Sequence, residues 1–128
     1  MALWALGDAP GARAEIERAL RLPGGNANSM AHFVLGEIAR AEGRDDEALE
    51  RYARATELGP PLAEAHYQYA LALSGAARLG EADFHFARAA VLRGDYVGAL
   101  VSYRRARELL GGDAAWAARI DAALARME

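Results

Sequence analysis

The stretch SMAHFVLGEIARAEGRDDEALERYARATELGP (Ser29–Pro60) decides the fold of this chain. Its second half carries Ala48, Tyr52 and Ala55: a small residue, a ring four positions on, and a small residue three further on. That spacing puts all three on one helix face. The same trio recurs as Ala82, Phe86 and Ala89, each 34 residues further along. Small residues let two helices approach closely, and the ring fills the gap between them. A period near 34 marks stacked helical hairpins, each of which buries its apolar face only against a neighbour.

Working outward, a half-copy precedes this stretch and a compressed copy follows it. Gly7-Asp8, Ala12, Ile16, Ala19 and Pro23 match a second helix and its exit, with Met1 to Leu6 as the last turns of a first helix. The Gly24-Gly25-Asn26 linker adds two residues to the period there. After Ala63, the next copy has Tyr69-Ala70, Leu73, Ala82, Phe86 and Ala89. Ala77 stands where its turn glycine is expected, and Gly80 reads as that glycine displaced. Gly94-Asp95, Ala99, Tyr103 and Ala106 repeat the second-helix code only 17 residues after Ala82, half a period. The segment 79–92 therefore serves two hairpins. It is the second helix of one and, through Phe86-Ala87 and Ala90, the first of the next. Trp116, Ile120 and Leu124 at i, i+4, i+8 predict a closing helix. The expected helices are 9–22, 29–42, 45–58, 62–75, 79–92, 95–110 and 113–127, separated by Gly and Pro breakers. No stretch alternates with period 2 long enough for a strand.

The copy at 29–60 resembles the tetratricopeptide repeat at nearly every signature position: Leu35-Gly36, Gly43, Ala48, Tyr52, Ala55 and Pro60. His32 stands where that family usually has Trp, and Ala39 where it has Tyr. The resemblance implies an all-α, right-handed α-solenoid of about seven helices. The whole of 1–128 would be one domain: a partial repeat 1–25, repeats 29–62 and 63–93, a compressed repeat sharing 79–92 with 94–110, and a closing helix 113–127. Leu71 to Tyr103 and the ending Trp116 to Leu124 also resemble the C-terminal repeat tail of bacterial zinc peptidases. No His-Glu-x-x-His occurs, so any such chemistry would lie elsewhere.

Composition narrows the function. The chain is 53% hydrophobic, much of it alanine, and only 8% aromatic, which suits helices packed through small side chains. The formal charge of −3 offers no basic field for nucleic acid. Every fixed cation is arginine, since lysine is absent. There is no cysteine, hence no disulfide framework, thiolate zinc site or cysteine nucleophile. No apolar run approaches the roughly 20 residues needed to cross a bilayer, so no direct membrane insertion is expected. MALWALGDAPG lacks the basic and apolar regions of a signal peptide. Localisation stays open: cytoplasmic for a complete chain, periplasmic for a fragment of a zinc-peptidase parent.

No candidate chemistry survives inspection. His32 and His66 share one repeat position and are expected to pack between helices, with His85 beside Phe84 and Phe86. None has a metal-ligand spacing. Arg93-Gly94-Asp95 spells an integrin-binding tripeptide, but Gly94-Asp95 reads as a turn and a helix N-cap. No catalytic residue, metal site or cofactor is expected. The family resemblance points instead to a concave groove lined by the second, fifth, ninth and twelfth positions of each first helix. Those are Met30, Phe33, Glu37 and Arg40, then Glu64, Tyr67, Leu71 and Ser74, with Phe84 and Arg88 added by the compressed repeat. Phe33 and Tyr67, one period apart, are expected side by side.

The set lacks the Lys/Asn pattern that clamps a terminal carboxylate in chaperone-binding relatives. An apolar or amphipathic peptide fits it better. The reading is therefore a non-catalytic protein- or peptide-binding scaffold. Its alternative is an accessory domain presenting substrate to a peptidase. The same residues could also be ordinary surface or contact a neighbouring domain. Self-association through the N-terminal end is a further possibility, because Ile16 and Leu20 need cover there.

Overall fold

Small–ring–small faces fold as expected into paired helices. The structure, a computed structural model, describes residues 9–22, 28–58 and 61–127. Among these residues the elements are α1 (Ala9–Leu20), α2 (Ser29–Ala41), α3 (Asp45–Glu57), α4 (Ala63–Gly75), α5 (Leu79–Leu92), α6 (Tyr96–Leu110) and α7 (Ala114–Ala125), with no strand. The described residues are thus all-α, consistent with a helical-repeat solenoid. The segment Met1 to Leu6, Pro23 with the Gly24-Gly25-Asn26 linker, and the Gly59-Pro60 breaker lie outside the described residues. The chain divides into two compact units, Met1–Pro61 and Leu62–Glu128.

Local chemistry sets the helix ends. Asn28 accepts from the Ala31 N–H to cap α2, Asp95 from Gly98 to cap α6, and Asp113 from Ala115 and Trp116 to cap α7. Asp45, Asp46 and Glu47 crowd the first turn of α3, where the helix dipole favours negative charge. Three hairpin turns share one geometry. Gly43 (φ +76°), Ala77 (φ +62°) and Gly94 (φ +81°) each end a helix in the left-handed region. Behind each, the next residue's N–H reaches five residues back: Arg44 to Ala39, Arg78 to Leu73 and Asp95 to Ala90, at 2.8–2.9 Å. Ala77 therefore does the work of a turn glycine. Gly80 is not that glycine displaced but a close-approach position, since a Cβ there would lie 2.5 Å from the Leu110 side chain.

In the first unit α2 pairs with α3, and α1 packs on α2. Leu35, Ile38, Ala39, Ala48, Tyr52 and Ala55 are its buried core. Tyr52 lies over Gly36 so closely that a Cβ at Gly36 would be 2.8 Å from the ring. The Tyr52 hydroxyl donates to the Glu37 carboxylate. Burial first, and that carboxylate second, raise the phenol's pKa. Ile16 and Leu20 on α1 are half-buried. Arg13 ties α1 to the α2–α3 turn, donating to Glu42 at 2.7 Å and Glu47 at 2.6 Å. That contact holds the Glu47 carboxyl below its usual range.

In the second unit α5 packs against both α4 and α6, and α7 closes on α6. Phe84, Ala87, Ala99, Tyr103, Ala106, Ile120 and Ala123 form one buried cluster, with Trp116 and Leu124 packed on it. Phe84 stands edge-on to both Tyr103 (5.7 Å) and Trp116 (5.2 Å). Two expectations are corrected here. Phe84 belongs to the core, not to a groove, and Phe86 is only half-buried where a fully buried ring was expected. The two side chains sit two residues apart on α5, hence on opposite sides of it, and α6 and α7 cover the Phe84 side. The counterpart of Gly36 one period on is Ala70, which carries the Cβ that the Tyr52 ring would not admit at Gly36.

Tyr52→Ala should cost about 3–5 kcal/mol by cavity creation, and Gly36→Ala about 1–3 kcal/mol by overpacking. Because the two meet at one contact, Gly36→Ala should cost much less in the Tyr52→Ala background. Urea unfolding of the four proteins checks this, and full additivity would contradict the contact. Ala77→Gly should raise stability by about 1 kcal/mol, since glycine adopts positive φ without Cβ strain. A melting temperature that falls on this substitution would contradict the turn geometry.

Candidate functional site

Contacts made in one repeat recur in the next. Phe33 and Tyr52 pair at 6.0 Å between ring centroids, and 34 residues on Tyr67 and Phe86 pair edge-on at 5.6 Å. His32 contacts Arg51 through Nδ1 at 3.3 Å, and the corresponding His66 and His85 meet Nδ1 to Nδ1 at 3.0 Å. The histidines at the usual Trp position are buried, as expected. Among the described residues no group of three or more His, Cys, Asp or Glu is placed to hold a metal ion.

Of the predicted groove residues in the first unit, Met30 is half-exposed and Phe33 half-buried. Glu37 is engaged by the Tyr52 hydroxyl, and Arg40 interacts with the same hydroxyl. Those two charges therefore brace the ring that packs the hairpin. In the second unit Leu71 and Ser74 are half-buried on α4. Tyr67 is 36% exposed. The Arg93 guanidinium lies over its ring at 5.1 Å and donates to Glu64 at 2.9 Å, while Gln68 also donates to Glu64 at 2.8 Å. Arg88 faces a different cleft, between α5, α6 and α7.

Tyr67 and Phe86 open onto a cleft of about 390 Å³ within the second unit, formed by α4, α5 and α6. Its polar wall holds Asp83 and Arg105, whose Nε lies 3.5 Å from the Asp83 carboxylate, together with Ser102 and Arg93. Burial pushes the Asp83 carboxyl pKa up, and Arg105 only partly opposes that. Apolar rings and an ion pair between a buried Asp83 and an exposed Arg105 thus share one concave surface. Reading the first-helix positions alone missed Phe86, Asp83, Arg93, Ser102 and Arg105, because they come from α5, α6 and the turn between them. The half-period spacing of Ala82 to Ala99 was the signal that α5 would have two partners.

The buried His66–His85 pair joins α4 to α5, two of the helices that form this cleft. With one Nδ1 donating and the other accepting, both rings are neutral. Desolvation lowers the pKa of His66 to about 4 and that of His85 further, with Arg88 and Arg119 acting in the same direction.

No protein-family profile matches the chain. Curated relatives do. The chain is 46% identical over 59 residues to tetratricopeptide repeat protein 36 of Bos taurus, covering 44% of this chain and 31% of the relative. The Homo sapiens protein of that name is 41% identical over 59 residues, again 44% and 31% of the two chains. The Mus musculus protein is 39% identical over 59 residues, 44% and 32%. The chain therefore spans about a third of the length of the curated relatives it matches. With the 34-residue code and the paired helices, these likenesses support a tetratricopeptide-like identity for the repeats. None of these relatives is named as a peptidase.

The folded histidines hold their protons less tightly than the unfolded chain does, so the unfolded state gains protons first as pH falls. Stability should be constant above about pH 7 and decline from about 6.5 toward 4, by about 2 kcal/mol per histidine between pH 7 and pH 5. Urea titrations at the two pH values check this. His66→Leu with His85→Met should flatten the difference, and a parent equally stable at both would show that the pair is not held neutral.

Proposed function

We propose that this chain is a non-catalytic protein-binding repeat module. Its partner segment is apolar or amphipathic and packs on the exposed rings of the repeat hairpins, with Tyr67 and Phe86 as the principal anchors. The observation that carries this is the Tyr67–Phe86 ring pair left open at the α4–α5–α6 cleft while its neighbours Phe84 and Tyr103 are sealed in the core. Rings held by packing on rigid helices bury large area at low entropic cost, which is why they dominate binding energies. In the first unit, Met30 and Phe33 offer a separate apolar surface on α2.

The charges around the rings define what suits the cleft. The Asp83–Arg105 and Glu64–Arg93 pairs present both signs beside apolar surface. A segment with an apolar stripe flanked by residues of either charge complements them, whereas a nucleic acid, uniformly negative, does not. Among the described residues no helix is long and apolar enough to cross a membrane. The repeat-protein names of the relatives support a scaffold rather than an enzyme.

A display library of amphipathic peptides of about 15 residues tests the reading, with selected binders measured by calorimetry. Tyr67→Ala with Phe86→Ala should weaken the selected peptides by at least about tenfold, the size of a ring hot spot, and leave the helical spectrum intact. Selected peptides that bound the double variant as tightly as the parent would place the site elsewhere.

A further inference from the structure

A second cleft, of about 400 Å³, lies between α5, α6 and α7 on the opposite side of α5 from Phe86 and is lined by Arg88, Arg126, Tyr96, Tyr103, Val91 and Met127. Its charge is unusual for a protein whose formal net charge is −3. In the second unit most of the described carboxylates are occupied elsewhere. Glu64 takes Arg93, Glu81 takes Arg78, Asp83 takes Arg105 and Asp121 takes Arg107. Asp95 and Asp113 cap helices. Among the described residues no carboxylate forms an ion pair with Arg88, Arg119 or Arg126.

Arg88 and Arg126 line this cleft, and Arg119 stands on α7, which also borders it. Arg88 and Tyr103 line the cleft together, and the Arg88 charge opposes the rise that burial gives the phenol's pKa. Arg126 lines the same cleft from α7. Arg119 stacks over Phe84 at 4.5 Å and Trp116 at 4.8 Å, which holds its guanidinium on the α7 side of the core. The charges felt by Tyr103 are those of Arg88, Arg126 and Arg119, and Arg88 and Arg119 add to the desolvation that keeps the buried His66–His85 pair neutral.

We infer that the α5–α6–α7 cleft is an oxyanion-binding site for a phosphate-monoester group carried on an apolar or aromatic body, with Arg88 and Arg126 as its direct ligands and Arg119 reinforcing the field. Planar guanidinium forks match the oxygens of a phosphate and bind it through charge-assisted hydrogen bonds. Cations that have no ion-paired carboxylate among the described residues favour a dianion over a single charge. The cleft is several times larger than a phosphate group alone, and Val91, Met127 and the exposed Tyr96 ring supply an apolar wall for what carries it. The site shares no lining residue with the Tyr67 cleft, so the two stand or fall separately.

Titration with phenyl phosphate and with inorganic phosphate, at constant ionic strength, tests the inference through the arginine Nε–Hε resonances. Phenyl phosphate should perturb Arg88 and Arg126 saturably at millimolar concentration and bind about tenfold tighter than inorganic phosphate. Arg126→Gln, at the open edge of the cleft, should weaken phenyl phosphate by about tenfold or more. Arg93→Gln, outside the cleft, should leave its affinity unchanged. Arg88→Gln should abolish binding, and Arg126→Gln keeps the test independent of any folding defect in that variant. Shifts equalled by sodium chloride, or unaltered by Arg126→Gln, would overturn the site. Equal affinity for the two phosphates would overturn the apolar body.

Discussion

The close approach of two helices across a face of small residues is the contact from which the rest of this structure follows. A ring packs at 2.8 Å from where the Gly36 Cβ would lie, and that is possible only because Gly36 has none. Around it Ala39, Ala48 and Ala55 add little bulk. Such a contact gains dispersion over many atoms, each pair worth only tenths of a kcal/mol, and it loses side-chain entropy for just one large residue. It also leaves no slack. The hairpin turn must deliver the second helix at a set angle, which is why the same left-handed residue and the same backward hydrogen bond recur at Gly43, Ala77 and Gly94.

Repetition of that contact is not faithful, and function follows the departures. Where the first unit has Gly36 and a buried Tyr52, the second has Ala70 and a half-buried Phe86. The ring displaced from the interior pairs with Tyr67 at the surface and creates an apolar edge. Sharing α5 between two hairpins then brings α6 alongside, and with it Asp83–Arg105 and Ser102 at the polar wall. Compression to half a period thus builds a cleft within a single compact unit.

Charge follows a similar logic of displacement. Arginine is the only fixed cation, and most of the second unit's carboxylates pair with arginines on neighbouring turns or cap helices. What remains is local positive charge at the α5–α6–α7 end of a chain with net negative charge. Net charge describes the whole molecule; the field at a cleft depends on which partners lie within a few ångströms.

Helix content, helix boundaries to within two residues, the turn positions and the small–ring–small code were legible in the sequence, because each rests on local periodicity and on residues with one dominant backbone preference. The N-cap role of Asp95 and the interior place of His32 and His66 were legible for the same reason. The fates of Phe84 and Phe86 were not. Periodicity sets where side chains lie around one helix, but which side is covered depends on helices distant in sequence. Phe86 matches Tyr52 in the repeat code, yet α6 and α7 cover the other side of α5 and make Phe84 the core ring. Arginine pairing was equally out of reach, since Arg13 with Glu47 and Arg93 with Glu64 join residues 34 and 29 apart. Local chemistry determined the helices and their spacing; only the packed chain decided which rings and which cations were left open to a partner.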